Sequence, residues 1–148
     1  MKIAIGCDPN AADFKARLIP FIESLGHEIV DYGSDDPVYA DVAAAVAEDV
    51  AAKKCERGVL ICGTGMGVCI AANKVKGAYA ALVTNIYQAQ RAQLSNNANI
   101  ITLGAQVTGI ELAKCFVKEY LSLSFDPKSR SGPKVERICE YERKNRPS

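Results

Sequence analysis

The chain has 148 residues, 49% of them apolar and 24% charged, which suits one domain with a sizeable core. Its 18 basic and 17 acidic residues leave a net charge of +1, arguing against a nucleic-acid or membrane-surface partner. No stretch is apolar and charge-free for long enough to cross a membrane, and residues 1–5 open a strand pattern instead of a leader.

Strand and helix patterns alternate along the chain. Lys2–Cys7 reads as an apolar strand, and 13–25 has helical spacing through Phe14, Leu18, Phe21, Ile22 and Leu25, stopped by Gly26. A second strand is expected over 28–32, followed by the turn-rich run Gly33-Ser34-Asp35-Asp36-Pro37 and an alanine-rich helix over 39–53. Residues 58–62 form a continuous apolar run of the kind buried on both faces of a parallel sheet. A short helix over 66–74, a strand over 79–84, a helix over 86–95, a strand over 100–103 and a helix over 110–121 complete the series.

This repetition predicts a Rossmann-like three-layer α/β/α sandwich with a five-stranded parallel sheet, in one domain spanning 1–148. The α/β core takes residues 1–125, and 126–148 form a C-terminal loop and helix. Pro133 suits the first turn of that helix, and Val135, Ile138 and Cys139 mark its apolar stripe. The stripe leaves two outcomes open, packing on a neighbouring subunit or docking on its own domain. Lys128, Arg130, Lys134, Arg137, Arg143 and Lys144 make this tail basic.

Six cysteines stand at 7, 55, 62, 69, 115 and 139, without a C-x-x-C pair, and His27 is the only histidine. Zinc-ligand spacing is therefore absent, and a reduced, cytoplasmic protein is expected. His27 falls at a helix-to-strand turn, distant from the strand tips, where a solvated turn residue is expected.

In open parallel sheets ligands sit at the carboxyl ends of the strands. That rule gathers Cys7-Asp8, the run Cys62-Gly63-Thr64-Gly65-Met66-Gly67, Thr84-Asn85 and Gly104-Ala105 around one crevice. Gly63, Gly65 and Gly67 free the backbone to turn N–H groups inward, with the helix from Met66 adding its positive end. Such a nest holds a phosphate or a catalytic oxyanion. The run is neither a P-loop, since no Lys-Ser/Thr follows, nor a G-x-G-x-x-G fingerprint. A thiol at the strand end beside a nest can act as a base next to a carbonyl, with the nest holding the enediolate. Spacing alone leaves Cys62 either that base or an inert buried cysteine, and Cys69 is expected to be inert.

The run Val59-Leu60-Ile61-Cys62-Gly63-Thr64-Gly65-Met66-Gly67-Val68-Cys69-Ile70-Ala71-Ala72-Asn73-Lys74 resembles the signature of the ribose-5-phosphate isomerase B / galactose-6-phosphate isomerase family. Similarity extends from Met1-Lys2-Ile3-Ala4-Ile5-Gly6-Cys7-Asp8 through Asn96-Asn97-Ala98-Asn99-Ile100 and Gly104 to the tail. The resemblance implies an aldose–ketose sugar-phosphate isomerase with Cys62 as base and no metal or organic cofactor. It implies a homodimer or tetramer whose active site is shared between subunits. It also implies Thr64 near the substrate hydroxyls, Asp8 and Tyr39 in the crevice, and Asn96 reaching in from a neighbouring subunit.

Three departures from the family pattern follow. The run Asp8-Pro9-Asn10-Ala11 replaces Asp followed by His and then a Gly, Ser95 replaces a ring-opening histidine, and Gln106 replaces a phosphate-binding arginine. Arg130 and Lys134 remain the phosphate candidates. A tetrose 4-phosphate cannot close to a furanose, because its O4 carries the phosphate, so its isomerase needs no ring-opening residue. Ser95-Asn96-Asn97-Ala98-Asn99-Ile100-Ile101-Thr102 and Arg130-Ser131 look most like the tetrose-phosphate isomerases of erythritol breakdown. The expected substrate is therefore erythrose or erythrulose 4-phosphate. The alternatives are ribose 5-phosphate, a galactose-6-phosphate-isomerase-like subunit needing a partner chain, and a flavodoxin-like phosphate- or nucleotide-binding module.

Overall fold

The computed structural model describes residues 1–146; the last two residues of the expected tail lie outside the described residues. The strands are β1 (Lys2–Cys7), β2 (Glu28–Asp31), β3 (Arg57–Cys62), β4 (Ala80–Leu82) and β5 (Ile100–Gly104). The helices are α1 (Ala12–Ser24), α2 (Tyr39–Ala51), α3 (Met66–Ala72), α4 (Ile86–Leu94), α5 (Ile110–Ser122) and α6 (Gly132–Asn145). A short 3-10 turn over Pro9–Ala11, absent from the periodicity, links β1 to α1.

All strand pairs are parallel, in the order β2-β1-β3-β5-β4. The expected five-stranded α/β/α sandwich is the fold observed. Every residue of the central strand β3 is buried, because helices cover both faces of the sheet. On one face Ile3, Ile5, Val59, Ile61, Ile101 and Leu103 pack against Leu18 and Ile22 of α1, Ala89 of α4, and Phe116 and Val117 of α5. On the other, Ala4, Leu60, Cys62 and Ile100 meet Ala43, Val46 and Val50 of α2 and Val68 and Ala72 of α3. Each fully buried aliphatic side chain contributes roughly 1.5–3 kcal/mol to this core.

The strand order places β1 between β2 and β3. The chain leaves β1 toward β2 through α1 and returns across the sheet through α2 to β3. The carboxyl ends of β1 and β3 thus diverge at a switch point, which opens a crevice there.

Several elements are shorter than their periodicity, α3 and β4 among them. The side chain of Asn73 donates to the carbonyl of Ala80 at 2.9 Å and accepts from its amide at 2.8 Å, ending α3 and fastening the edge strand. The Tyr79 amide is taken by Asn99 Oδ1 at 2.8 Å, so β4 starts one residue later than expected.

The tail helix docks on its own chain. Glu142 accepts hydrogen bonds from the Gly77 amide at 3.2 Å and the Tyr79 hydroxyl at 2.6 Å, and Arg146 donates to the Asn73 carbonyl at 3.0 Å. No residue of α6 is buried, and Val135, Ile138 and Cys139 line an apolar cavity of about 400 Å³ beside Tyr79 and Ala80. Polar clamps hold this helix, and its apolar stripe is only partly covered.

Candidate active site

The loop after β3 is shaped around a sulfur. Cys62 ends the strand with its side chain on the α2–α3 side, 6% exposed, and the Gly65 amide donates to its Sγ at 3.1 Å. The sulfur thus stands at the mouth of the loop as the acceptor of a backbone N–H. Gly65 reaches that position with φ +81°, and a Cβ there would stand 2.6 Å from Leu82 Cδ1 and 2.8 Å from the Leu103 carbonyl carbon. From below, the buried Thr102 hydroxyl donates to the Gly65 carbonyl at 2.8 Å.

The expected crevice residues gather here. The exposed Thr64 hydroxyl accepts from the Met66 amide at 3.3 Å. Gly67 belongs to the first turn of α3, whose amides have no partner within the helix. The ring of Tyr39, at the start of α2, lies directly on Gly67: a Cβ there would be 2.6 Å from both Cζ and the hydroxyl oxygen. Asp8 donates its amide to the Ile61 carbonyl at 3.2 Å, and its Oδ1 caps the 3-10 turn at the Ala11 amide. Carboxylate, phenol, thiol and nest thus share the strand tips.

Gln106, noted in the sequence only as a departure, sits in the same place. Its amide bonds the Gly63 carbonyl at 2.9 Å, and its side-chain oxygen is 3.4 Å from where a Cβ on Gly63 would stand. A neutral amide therefore covers the nest's edge.

Two other thiols, Cys7 and Cys69, lie near this loop. Burial pushes the Cys7 thiol up to about 11, a rise that nearby Lys15 only partly opposes. Burial also raises Cys69, whose Sγ donates to the Ala80 carbonyl at 3.5 Å. Both shifts favour the protonated thiol. Among the described residues no three His, Cys, Asp or Glu side chains converge as metal ligands would.

Ser95, Asn96 and Arg130 lie at the opposite end of the sheet. Helix α4 runs from the strand tips back to Ser95, and Asn96 precedes the start of β5. Here Arg91 Nε donates to Ser95 Oγ, and Asn96 Nδ2 donates to the Arg91 carbonyl at 3.0 Å. Arg130, in the loop after α5, shares a cleft with Arg91. Lys134 follows, exposed, in the first turn of α6. Within one chain these residues do not meet Cys62. His27 is not simply solvated: its Nδ1 lies 3.1 Å from the Met1 amino group. Burial, with help from that ammonium, lowers its pKa.

The family model for ribose/galactose isomerases matches residues 3–138. The chain belongs to that family. Within the ribose/galactose isomerases it is 45% identical to D-erythrulose-4-phosphate isomerase 2 of Mycolicibacterium smegmatis, across 96% of this chain and 97% of that protein. It is 44% identical to D-erythrulose-4-phosphate isomerase of Pectobacterium atrosepticum, across 96% and 95%. The structure of Clostridium thermocellum ribose-5-phosphate isomerase B superposes with a TM-score of 0.92 at 40% identity, covering 98% of this chain and 99% of that one. The family match runs through core, crevice loop and the first half of α6, so the Cys62 loop stands in the framework of a ribose/galactose isomerase.

Proposed function

We propose that this protein, as one isomerase domain over 1–148, interconverts erythrose 4-phosphate and erythrulose 4-phosphate, with Cys62 as the base. The observation that carries the mechanism is the Gly65 amide on Cys62 Sγ at 3.1 Å. The Cys62 thiolate takes the proton from C2 of the aldose. The C–H electron pair forms the C1=C2 bond of a cis-enediolate, and the carbonyl pair moves onto O1. The nest from Gly63 to Gly67, including Met66, together with Thr64, holds the enediolate oxygens. A proton passes from O2 to O1, and Cys62 returns its own to C1, giving the ketose. No cofactor takes part.

The tetrose assignment rests on what faces the substrate. Ser95 spends its hydroxyl as acceptor for Arg91, and the sole histidine, His27, pairs with Met1. Ser95 carries no imidazole for ring opening and His27 is held at Met1, and a tetrose 4-phosphate has no furanose to open. Two erythrulose-phosphate isomerases among the relatives agree with this reading.

A second copy of the chain completes the site. Asp8, Tyr39 and Cys62 stand at the carboxyl ends of the strands, whereas Ser95, Asn96, Arg130 and Lys134 stand at the amino ends. A homo-oligomer that sets one end against the other brings Asn96 and the phosphate-binding cations to Cys62. The cytoplasm, where the thiol base stays reduced, is the compartment we assign.

The test is a panel of four-, five- and six-carbon aldose and ketose phosphates on the purified chain. Rapid turnover of erythrose and erythrulose 4-phosphate is expected. Fast conversion of ribose 5-phosphate with none of the tetroses would overturn the substrate, and activity only after adding a different chain would favour a two-chain enzyme.

A further inference from the structure

Behind Ser95 lies a cleft of about 420 Å³ lined by Arg91, Leu94, Asp126, Ser129, Arg130 and Ser131. Two guanidinium groups and one carboxylate make it positive. Arg91 is half-buried, and its Nε is spent on Ser95, which fixes the direction of the guanidinium. Asn96, bonded to the Arg91 carbonyl, steadies the same turn. Among the described residues no carboxylate lies within ion-pairing distance of Arg91 or Arg130. Asp126 instead accepts from the Lys128 amide at 2.9 Å.

The Ser129 hydroxyl in this cleft is buried without a hydrogen-bond partner. Unsatisfied buried polar atoms are rare and call for a ligand or a functional role. Two guanidiniums without a carboxylate partner, one of them aimed by Ser95, stand beside this unpaired hydroxyl and form a donor set that recognises a phosphate or similar dianion.

We propose that Arg91, aimed by Ser95, binds the substrate's phosphate together with Arg130 and Ser129. This inference rests on the isomerase reading for its substrate, and on the cleft alone for its ligand chemistry. Gln106 leaves the nest without a cation, so the phosphate's charge must be met elsewhere. A shorter sugar also carries its phosphate nearer the reacting carbons. An arginine reaching in beside the position of the absent ring-opening residue meets both requirements, and makes Arg91 a residue that favours a four-carbon chain.

Two measurements on the full chain test it, using Arg91→Met and the charge-conserving Arg91→Lys. The first is steady-state kinetics with erythrose 4-phosphate, and the second is calorimetric titration with inorganic phosphate. In R91M, KM should rise roughly tenfold to a hundredfold, the range for one charge-assisted hydrogen bond, with kcat within about threefold. Phosphate binding should weaken by a similar factor, and R91K should recover most of both losses. A purely structural Arg91 would lower stability and kcat without this split, and would not be rescued by lysine. Unchanged phosphate affinity in R91M, or no phosphate binding by the wild-type chain, overturns the proposal. Should no sugar phosphate be turned over, the isomerase reading fails while the phosphate titration still decides the role of Arg91.

Discussion

The Gly65 amide points at the sulfur of Cys62 from 3.1 Å, at a turn where φ +81° and the nearby Leu103 carbonyl leave no room for a side chain on residue 65. Removing the sulfur removes the base and leaves the loop standing. Cys62→Ala should therefore keep its thermal midpoint within a few degrees and lose at least two to three orders of magnitude in kcat, the span for a general base. Near-normal turnover in this variant would exclude Cys62 from proton transfer.

Gly65 and Gly67 should respond differently to alanine. At Gly65 the new Cβ meets the Leu103 carbonyl carbon at 2.8 Å and must hold φ +81°, and backbone cannot give way cheaply. Gly65→Ala should cost about 1–3 kcal/mol of stability as well as activity. At Gly67 the clash is with the half-exposed ring of Tyr39, which can swing outward. Gly67→Ala should unfold within about 0.5 kcal/mol of wild type but show an altered KM. Equal destabilisation of the two in urea would contradict the geometry.

Arg57 clamps α5 to the start of β3. It is 9% exposed, donates to the carbonyls of Tyr120 at 2.7 Å and Leu123 at 2.5 Å, and stacks 5.0 Å above the Tyr120 ring. These carbonyls end a helix, where a cation is favoured. Arg57→Ala should lose about 3 kcal/mol in denaturant unfolding, since hydrogen bonds from a charged donor contribute roughly 1.5–3 kcal/mol each. Arg57→Lys, with a single point charge, should fall in between.

Alkaline pH should unfold the protein early. Burial first, then hydrogen bonds to Asp49 and Glu142, raises the pKa of Tyr32 and Tyr79; burial alone raises Tyr120. Their contribution is fully present below the unfolded value near 10. Above it the unfolded chain releases protons that the folded chain retains, so stability falls as pH rises, by up to ~1.4 kcal/mol per pH unit for each tyrosine. Replacing Tyr79 by Phe should flatten the decline of the thermal midpoint above pH 10. An unaltered slope would remove Tyr79 from the linkage.

Much of the molecule was legible in its sequence because the signals are local. Apolar runs and helical spacing gave element order and type, with ends displaced by one to a few residues where Asn73 and Tyr79 divert the backbone's hydrogen bonds. The place of Cys62 and its glycines followed from a strand that ends in a turn. Arg91 passed unnoticed, although its spacing of four from Ser95 on one helix face is a readable signal.

By itself the sequence determined the α/β class, the thiol at a strand end and the departures at Pro9, Ser95 and Gln106. Only the tertiary structure decided that Tyr39 lies on Gly67, that Gln106 covers the nest, and that α6 fastens to Gly77 and Tyr79 through Glu142. It also decided that Ser95 and Arg130 stand at the far end of the sheet from Cys62. Periodicity records which face of an element is buried, but strand order and long-range packing set which faces meet. That is why the sulfur was visible from the beginning, and the amide aimed at it only in the folded chain.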